Sequence, residues 1–147
     1  MAIGLCRGPR NEYELRCILT NQTAGGKACS LNPTKPSDSE MEKYEKLKGS
    51  DGECFPPRAY DPIETEFTEY TSSLKKAMEF GNRLGGQTYT GEDYRDQVRK
   101  GEVFTNGVVV CIVIDEKYVT AFENDSLEKG YLIRSDTPFI DCRLVKY

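Results

Sequence analysis

The sequence predicts an α+β protein, in which a four-stranded antiparallel sheet packs against one long amphipathic helix and shorter helices and is stabilised by disulfides. Three observations predict this class. One broad apolar stripe runs through residues 63–84, four strand-like segments follow residue 103, and six cysteines are spread along the 147-residue chain. A chain of this length forms one domain, in which we expect a loop-rich, cysteine-pinned part at 1–62 and a helix-plus-sheet core at 63–147.

One strand and one helix are predicted in the N-terminal part. Apolar and polar residues alternate over Tyr13–Cys17, and Ile18 and Leu19 follow, so a strand is predicted over Tyr13–Thr20. A helix is predicted over Ser39–Lys48, because one of the polar residues at 37–39 can cap it and its apolar residues recur on one face.

The strongest helical pattern covers Ile63–Leu84, where apolar residues recur at spacings of three and four. Pro62 suits the first turn, acidic residues lie near the start, basic residues lie near the end, and Gly85 follows. A shorter helix capped by Thr90 is predicted to run to about Lys100.

After residue 103 the pattern changes to strands separated by short polar turns. The first is a nearly continuous β-branched run, as expected of a central strand buried on both faces. Short connections favour an antiparallel meander of the four strands. They are predicted over Gly107–Asp115, Lys117–Glu123, Gly130–Arg134 and Phe139–Lys146.

The cysteines predict three disulfides and therefore an oxidising compartment, since they are even in number and form no C-x-x-C pair. A Cys111–Cys142 bridge is favoured because both residues lie in strands of the same meander. The four others would pair among themselves within residues 1–54, in a connectivity that the sequence leaves open. The predicted disulfide residues are Cys6, Cys17, Cys29, Cys54, Cys111 and Cys142.

A secreted, extracellular location follows from these disulfides, and two N-x-S/T sequons agree with it. They predict glycosylation at Asn21 and Asn124, both in polar, turn-like stretches. The residues after Met1 form no leader-like apolar segment, so we expect the chain to be the mature secreted form.

Composition excludes several function classes. The chain has no histidine, which removes Ser-His and Cys-His nucleophiles and imidazole ligands for metals. Its longest apolar run, Val108–Ile114, is far shorter than the roughly 20 residues that cross a bilayer. The net charge of −4 argues against nucleic acid. We therefore expect no catalytic residues, no cofactor, no metal, no membrane or nucleic-acid partner, and a monomer.

Protein binding is the function that these exclusions leave in first place. Exposed tyrosine and arginine are frequent anchors of protein interfaces. Several lie in predicted loops or at the end of the chain, and we expect them to bind the partner. They are Arg58, Tyr60, Tyr89 and Tyr147.

In size, in its cysteines from Cys6 to Cys142 and in its mixed helix–sheet layout, the chain resembles the small cysteine-rich secreted effectors of plant-pathogenic fungi. The resemblance implies a virulence function in which the protein binds a host protein or receptor. Two alternatives remain open. One is a small carboxylate-dependent extracellular hydrolase, marked by two facing carboxylates of which one has a raised pKa. The other is an extracellular ligand carrier or inhibitor, and a carrier would be marked by a closed apolar cavity.

Overall fold

A computed structural model describes residues 1–9, 12–49, 66–79, 107–122 and 130–147 of the chain. These residues form one six-stranded sheet with helices on both of its faces. The strands are β1 (Ala2–Arg7), β2 (Phe67–Thr71), β3 (Val108–Asp115), β4 (Thr120–Ala121), β5 (Gly130–Arg134) and β6 (Asp141–Lys146). The helices are α1 (Glu12–Asn21), α2 (Asp38–Gly49) and a 3₁₀ helix (Glu116–Tyr118), and residues 74–79 are also helical.

The strand order is β4-β5-β2-β1-β3-β6, and every neighbouring pair is antiparallel. The predicted α+β class is confirmed. The predicted four-stranded meander is wrong, because β1 and β2 lie between β5 and β3 and supply the centre of the sheet. No strand was predicted at the N-terminus, but Ala2–Arg7 pairs along its whole length with Val110–Asp115 of β3.

The first face of the sheet is covered by α1. Leu15 and Ile18, three residues apart on the helix, are 8% and 0% exposed and pack on strands β1, β2, β3 and β5. This cluster is the largest part of the described core. Its buried members are Leu5, Leu15, Ile18, Ala24, Tyr70, Val110, Ile112, Ile114 and Ile133.

The second face carries two smaller clusters. Met41 of α2 packs with Phe67 of β2 and Leu132 of β5. Ala77, from the helical segment 74–79, packs with Val109, with Cys111 of β3 and with Cys6 of β1. The sheet is therefore the middle of three layers, with α1 on one side and α2 and residues 74–79 on the other.

The strand predicted at Tyr13–Thr20 is wrong, because these residues belong to α1. The Gln22 N–H donates to the Ile18 carbonyl over 2.9 Å, which is the i to i−4 bond of a helix, and Gln22 then turns away with a φ of 54°. In a segment this short, alternation of apolar and polar side chains does not distinguish one face of a helix from one face of a strand.

The long helix predicted at Ile63–Leu84 is also wrong, because Phe67–Thr71 is strand β2. Phe67 and Tyr70 are three residues apart, so on a strand they point to opposite faces of the sheet. Both are buried, at 5% and 2% exposure, because helices cover both faces. Residues buried on alternate faces thereby reproduced the spacing of a helix stripe.

The prediction of a disulfide-stabilised fold is wrong as well. The five cysteines in the described ranges are free thiols, and Cys54 lies outside these ranges. β3 and β6 are neighbours, as expected, but Cys111 faces Arg143 and Cys142 faces Ile112. Cys111 and Cys142 therefore lie on opposite faces of the sheet, where a bridge cannot join them.

Other predicted elements agree closely with the structure. The predicted helix at Ser39–Lys48 corresponds to α2, and the predicted strands at Gly107–Asp115, Gly130–Arg134 and Phe139–Lys146 correspond to β3, β5 and β6. In place of the strand predicted at Lys117–Glu123, the described residues form the 3₁₀ helix and the two-residue β4. The short helix predicted from Thr90 lies outside the described residues. None of the helices that are described has the length and apolar character to cross a bilayer.

Candidate functional site

Of the four predicted binding residues, Tyr147 is described, whereas Arg58, Tyr60 and Tyr89 lie outside the described ranges. Tyr147 follows β6 and is 41% exposed. Its N–H donates to the Gly107 carbonyl over 2.8 Å, and its hydroxyl donates to the Met78 carbonyl. The ring is therefore fixed at one end of the sheet beside the helical segment 74–79.

The sequon at Asn21 falls at the last residue of α1. Asn21 is exposed, and its side-chain amide donates to the Gly26 carbonyl over 2.5 Å. Thr23 of the same sequon is fully buried, and its hydroxyl donates to the Lys27 carbonyl. Glycosylation at Asn21 stays a prediction, as does glycosylation at Asn124, which lies outside the described residues.

Among the described residues, the most buried ion pair joins Arg7 of β1 to Glu14 of α1. Arg7 Nε lies 2.7 Å from Glu14 Oε1, and each side chain is 15% exposed. Arg7 Nη1 also donates to the Glu69 carbonyl over 2.9 Å. Burial opposes the charge on Arg7, but Glu14 outweighs it and raises the arginine pKa. The ion pair links α1 to the sheet, and each of the two side chains is engaged by the other.

A second polar centre surrounds Arg134 of β5. Its guanidinium contacts Glu40 at 2.6 Å and Glu66 at 3.2 Å, and lies 5.3 Å from the centre of the Phe67 ring. Burial opposes the ionisation of Glu40, but hydrogen bonds from Ser37 and Arg134 outweigh it and lower its pKa. A general acid has the opposite shift, and the contacts of Glu40 with Ser37 and Arg134 hold α2 against β5.

Two further carboxylates in the described ranges also have structural contacts. Glu66 pairs with Arg134, and Asp115 accepts from the Lys117 N–H over 3.1 Å at the start of the 3₁₀ helix. Within the described ranges, no three cysteine, aspartate or glutamate side chains are grouped to hold a metal ion.

The outer edge of β6 is a different kind of site, built from backbone groups. β6 pairs with β3 on one side, and the Tyr147 N–H bonds to Gly107 at the end of that ladder. In an antiparallel pair alternate residues bond to the neighbouring strand. Counting back from Tyr147 therefore directs the N–H groups of Leu144 and Lys146 away from β3. Among the described residues, no strand pairs with this outer side.

The side chains at this edge also favour the addition of a strand. The Cys142 N–H, which also points outward by this count, is accepted by its neighbour Asp141 at 2.8 Å. Ile140 and Leu144 are 67% and 40% exposed. We call the outer side of Asp141–Lys146, with Ile140 and Tyr147 at its ends, the β6 edge. The outward N–H groups of Leu144 and Lys146 pair with no strand among the described residues and lie beside exposed apolar groups, which suits an added strand.

The sequence predicts this strand but not its place at the edge of the sheet. The order of strands decides which one is last in a sheet, and no residue pattern in Phe139–Lys146 records that order. Ile140 and Leu144 are apolar in the sequence, and it is the structure that shows them exposed.

Comparisons with known proteins add no family to this description. No protein-family model matches the chain, and no curated protein is significantly similar to it. Function is therefore inferred from the geometry of the described residues.

Proposed function

We propose that this protein is a non-enzymatic binding protein that takes up an extended segment of a partner protein along the β6 edge. The observation that carries this proposal is an outer strand of six residues, Asp141–Lys146, with outward N–H groups at Leu144 and Lys146. Such an edge binds a peptide as an additional strand, with the affinity coming mainly from main-chain hydrogen bonds.

The charges at the β6 edge define the partner segment. Arg143 and Lys146 are exposed, whereas Asp141 is engaged with the Cys142 N–H. Because successive side chains of a strand alternate between faces, Leu144 and Lys146 lie on one face of the sheet and Arg143 lies on the other. The two cations favour acidic neighbours on the added strand, and Leu144 favours an apolar one. We therefore infer an extended segment with acidic side chains beside Arg143 and Lys146 and an apolar side chain beside Leu144.

Several predictions about context are part of this proposal and have separate grounds. That the partner is a host protein rests on the resemblance to fungal effectors. Secretion was predicted from disulfides, and the five described cysteines do not provide them. The binding geometry does not depend on either of these predictions.

The test is a pair of substitutions at one position. Leu144→Pro removes an outward N–H without removing a bond to β3, and Leu144→Ala removes the same side chain but keeps the N–H. Peptides selected from a displayed random library against the wild-type protein are the probe. We expect Leu144→Pro to weaken their binding about tenfold or more, as loss of about 1.4 kcal/mol requires, and Leu144→Ala to weaken it less.

Amide hydrogen exchange gives a second readout on the wild-type protein. A bound peptide should protect the N–H groups of Leu144 and Lys146, and circular dichroism should show that both variants keep the wild-type fold. The proposal is wrong if the library yields no binder, if Leu144→Pro binds as well as Leu144→Ala, or if peptide binding protects amides elsewhere instead.

A further inference from the structure

Two thiols face each other across the centre of the sheet. In the register of β1 and β3, Cys6 lies directly opposite Cys111. Directly opposed residues of an antiparallel pair have their side chains on the same face. Both side chains join the cluster beneath Ala77 and Met78 of the helical segment 74–79.

The ladder also fixes which kind of opposed pair they form. At its end the Glu116 N–H donates to the Met1 carbonyl over 2.9 Å, so Met1 and Glu116 are a hydrogen-bonded pair. Bonded and non-bonded pairs alternate along antiparallel strands, and five steps further on Cys6 and Cys111 are a non-bonded pair. The Tyr147–Gly107 bond on the other side of β3 gives the same result. Counted along the ladder from this bond, the backbone N–H and carbonyl of Cys111 point toward β6 and away from Cys6.

Non-bonded pairs bring side chains closest together. Their Cα atoms lie about 4.5 Å apart, which falls within the range that a disulfide spans without movement of the backbone. In the structure both residues are free thiols. Cys142, on the adjacent strand β6, lies on the opposite face of the sheet, so it cannot pair with Cys111 in this way.

The surroundings of the two thiols set their reactivity. Cys6 is partly exposed and Cys111 is 7% exposed, so a reagent reaches Cys6 first. Burial, followed by the hydrogen bond and the charge of Cys111, raises the pKa of Cys6 to about 12, and Arg143 acts in the opposite direction. Because the thiolate is the reacting species, the pair resists oxidation at neutral pH and reacts faster as the pH rises.

We propose that Cys6 and Cys111 form a cross-strand dithiol that small disulfides, such as oxidised glutathione, reversibly convert to a disulfide. The Cys6 thiolate attacks one sulfur of the oxidant, whose S–S bond breaks, and one glutathione thiolate leaves. Cys111 then attacks Cys6 in this mixed disulfide and releases the second glutathione. The protein loses two electrons and two protons, and one glutathione disulfide becomes two thiols.

This site differs from the predicted disulfide framework. The sheet is complete with both thiols reduced, so the bond is a modification of a finished fold and not a requirement for it. It joins the N-terminal strand to the central strand β3, next to the strand that carries the β6 edge. The site does not depend on the proposed binding function.

The experiment equilibrates the wild-type protein with glutathione buffers of increasing oxidised fraction, blocks remaining thiols and maps the bonds by peptide mass spectrometry. We expect one linked peptide pair, containing Cys6 and Cys111, which reducing buffer removes. Its rate of formation should rise about tenfold per pH unit between about pH 8 and about pH 10, because the thiolate fraction does so below the pKa.

Matched variants make the result specific. Cys142→Ser changes the thiol of the adjacent strand and should leave the bond intact, whereas Cys6→Ser and Cys111→Ser should each abolish it. The wild-type map does not depend on whether any variant folds. The proposal is overturned if the wild-type protein forms no Cys6–Cys111 bond in any buffer, if Cys6 or Cys111 pairs with another cysteine instead, or if Cys142→Ser prevents the bond.

Discussion

Gly25 shows how tightly the loop after α1 is held against the sheet. Its N–H donates to the Ser135 carbonyl over 3.0 Å, and a side chain at this position would overlap the side chains of Ser135 and Thr68. Those two hydroxyls bond to each other at 2.8 Å in the interior. Glycine is therefore required here by space, which the residue's place in a polar, glycine-rich stretch did not indicate.

We expect Gly25→Ala to lower the free energy of unfolding by about 1–3 kcal/mol, because the added methyl group displaces the Thr68–Ser135 pair. Urea denaturation measures the change. Gly4→Ala is the matched control, since a Cβ at Gly4 has no atom within 4 Å, and it should change stability by less than about 0.5 kcal/mol or increase it slightly. Equal losses in the two variants would contradict this account.

Among the elements, α2 has the clearest local signal. Its start is a capping box, in which Ser37 Oγ accepts from the Glu40 N–H at 3.2 Å and Glu40 Oε1 accepts from the Ser37 N–H at 3.0 Å. Ser37, Asp38 and Ser39 are all possible caps in the sequence, and the structure selects the first. The same Glu40 contacts Arg134, so the cap also fastens α2 to β5.

Ser37→Ala should therefore destabilise the protein by about 1 kcal/mol, whereas Ser39→Ala should be within about 0.5 kcal/mol of wild type. Thermal or urea unfolding of the three proteins side by side gives the comparison. If Ser39→Ala were the more harmful change, the cap would have been assigned to the wrong residue.

Elements were predictable where the local pattern is compatible with one structure, and were mistaken where it is compatible with both a helix and a strand. The α2 cap and the β-branched run of β3 each indicate one structure. In β2, Phe67 and Tyr70 are buried on opposite faces because helices lie on both sides, and the resulting spacing imitates a helix. In α1, the contact of Ile18 with distant strands, and not its local pattern, decides the outcome.

For the molecule as a whole, the sequence predicts the α+β class but not the strand order. The centre of the sheet pairs β1 with β3, and Leu5 lies opposite Ile112, far along the chain. Such pairings are set by the summed burial of both faces, which no segment shows alone. The candidate site could not be predicted without the strand order. Tyr147 was predicted to bind a partner, but β6 was not recognised as an edge strand.

Alkaline pH should destabilise the whole protein. Burial raises the pKa of Tyr70 and of Cys142, and burial together with Cys111 raises that of Cys6 from 9.0 to about 12. These groups stay neutral in the folded protein while the unfolded chain ionises. The share of Cys6 is fully present below about pH 9 and is lost as the pH rises toward about 12.

Urea unfolding in a phosphine reductant, at intervals between about pH 8 and about pH 11, measures this dependence. We expect the free energy of unfolding to fall with pH in the wild-type protein and to fall less steeply in Cys6→Ala. Parallel curves for the two proteins would show that Cys6 does not contribute.

The pairing of β1 with β3 has a consequence for synthesis of the chain. A ribosome produces β1 long before β3, the strand along which β1 pairs over its whole length. Ala2–Arg7 therefore lacks this partner while the intervening residues are synthesised. During translation this stretch is exposed to chaperones and to other nascent chains. A ribosome-bound chain that stops short of Val108 has no β3 to complete the middle of the sheet.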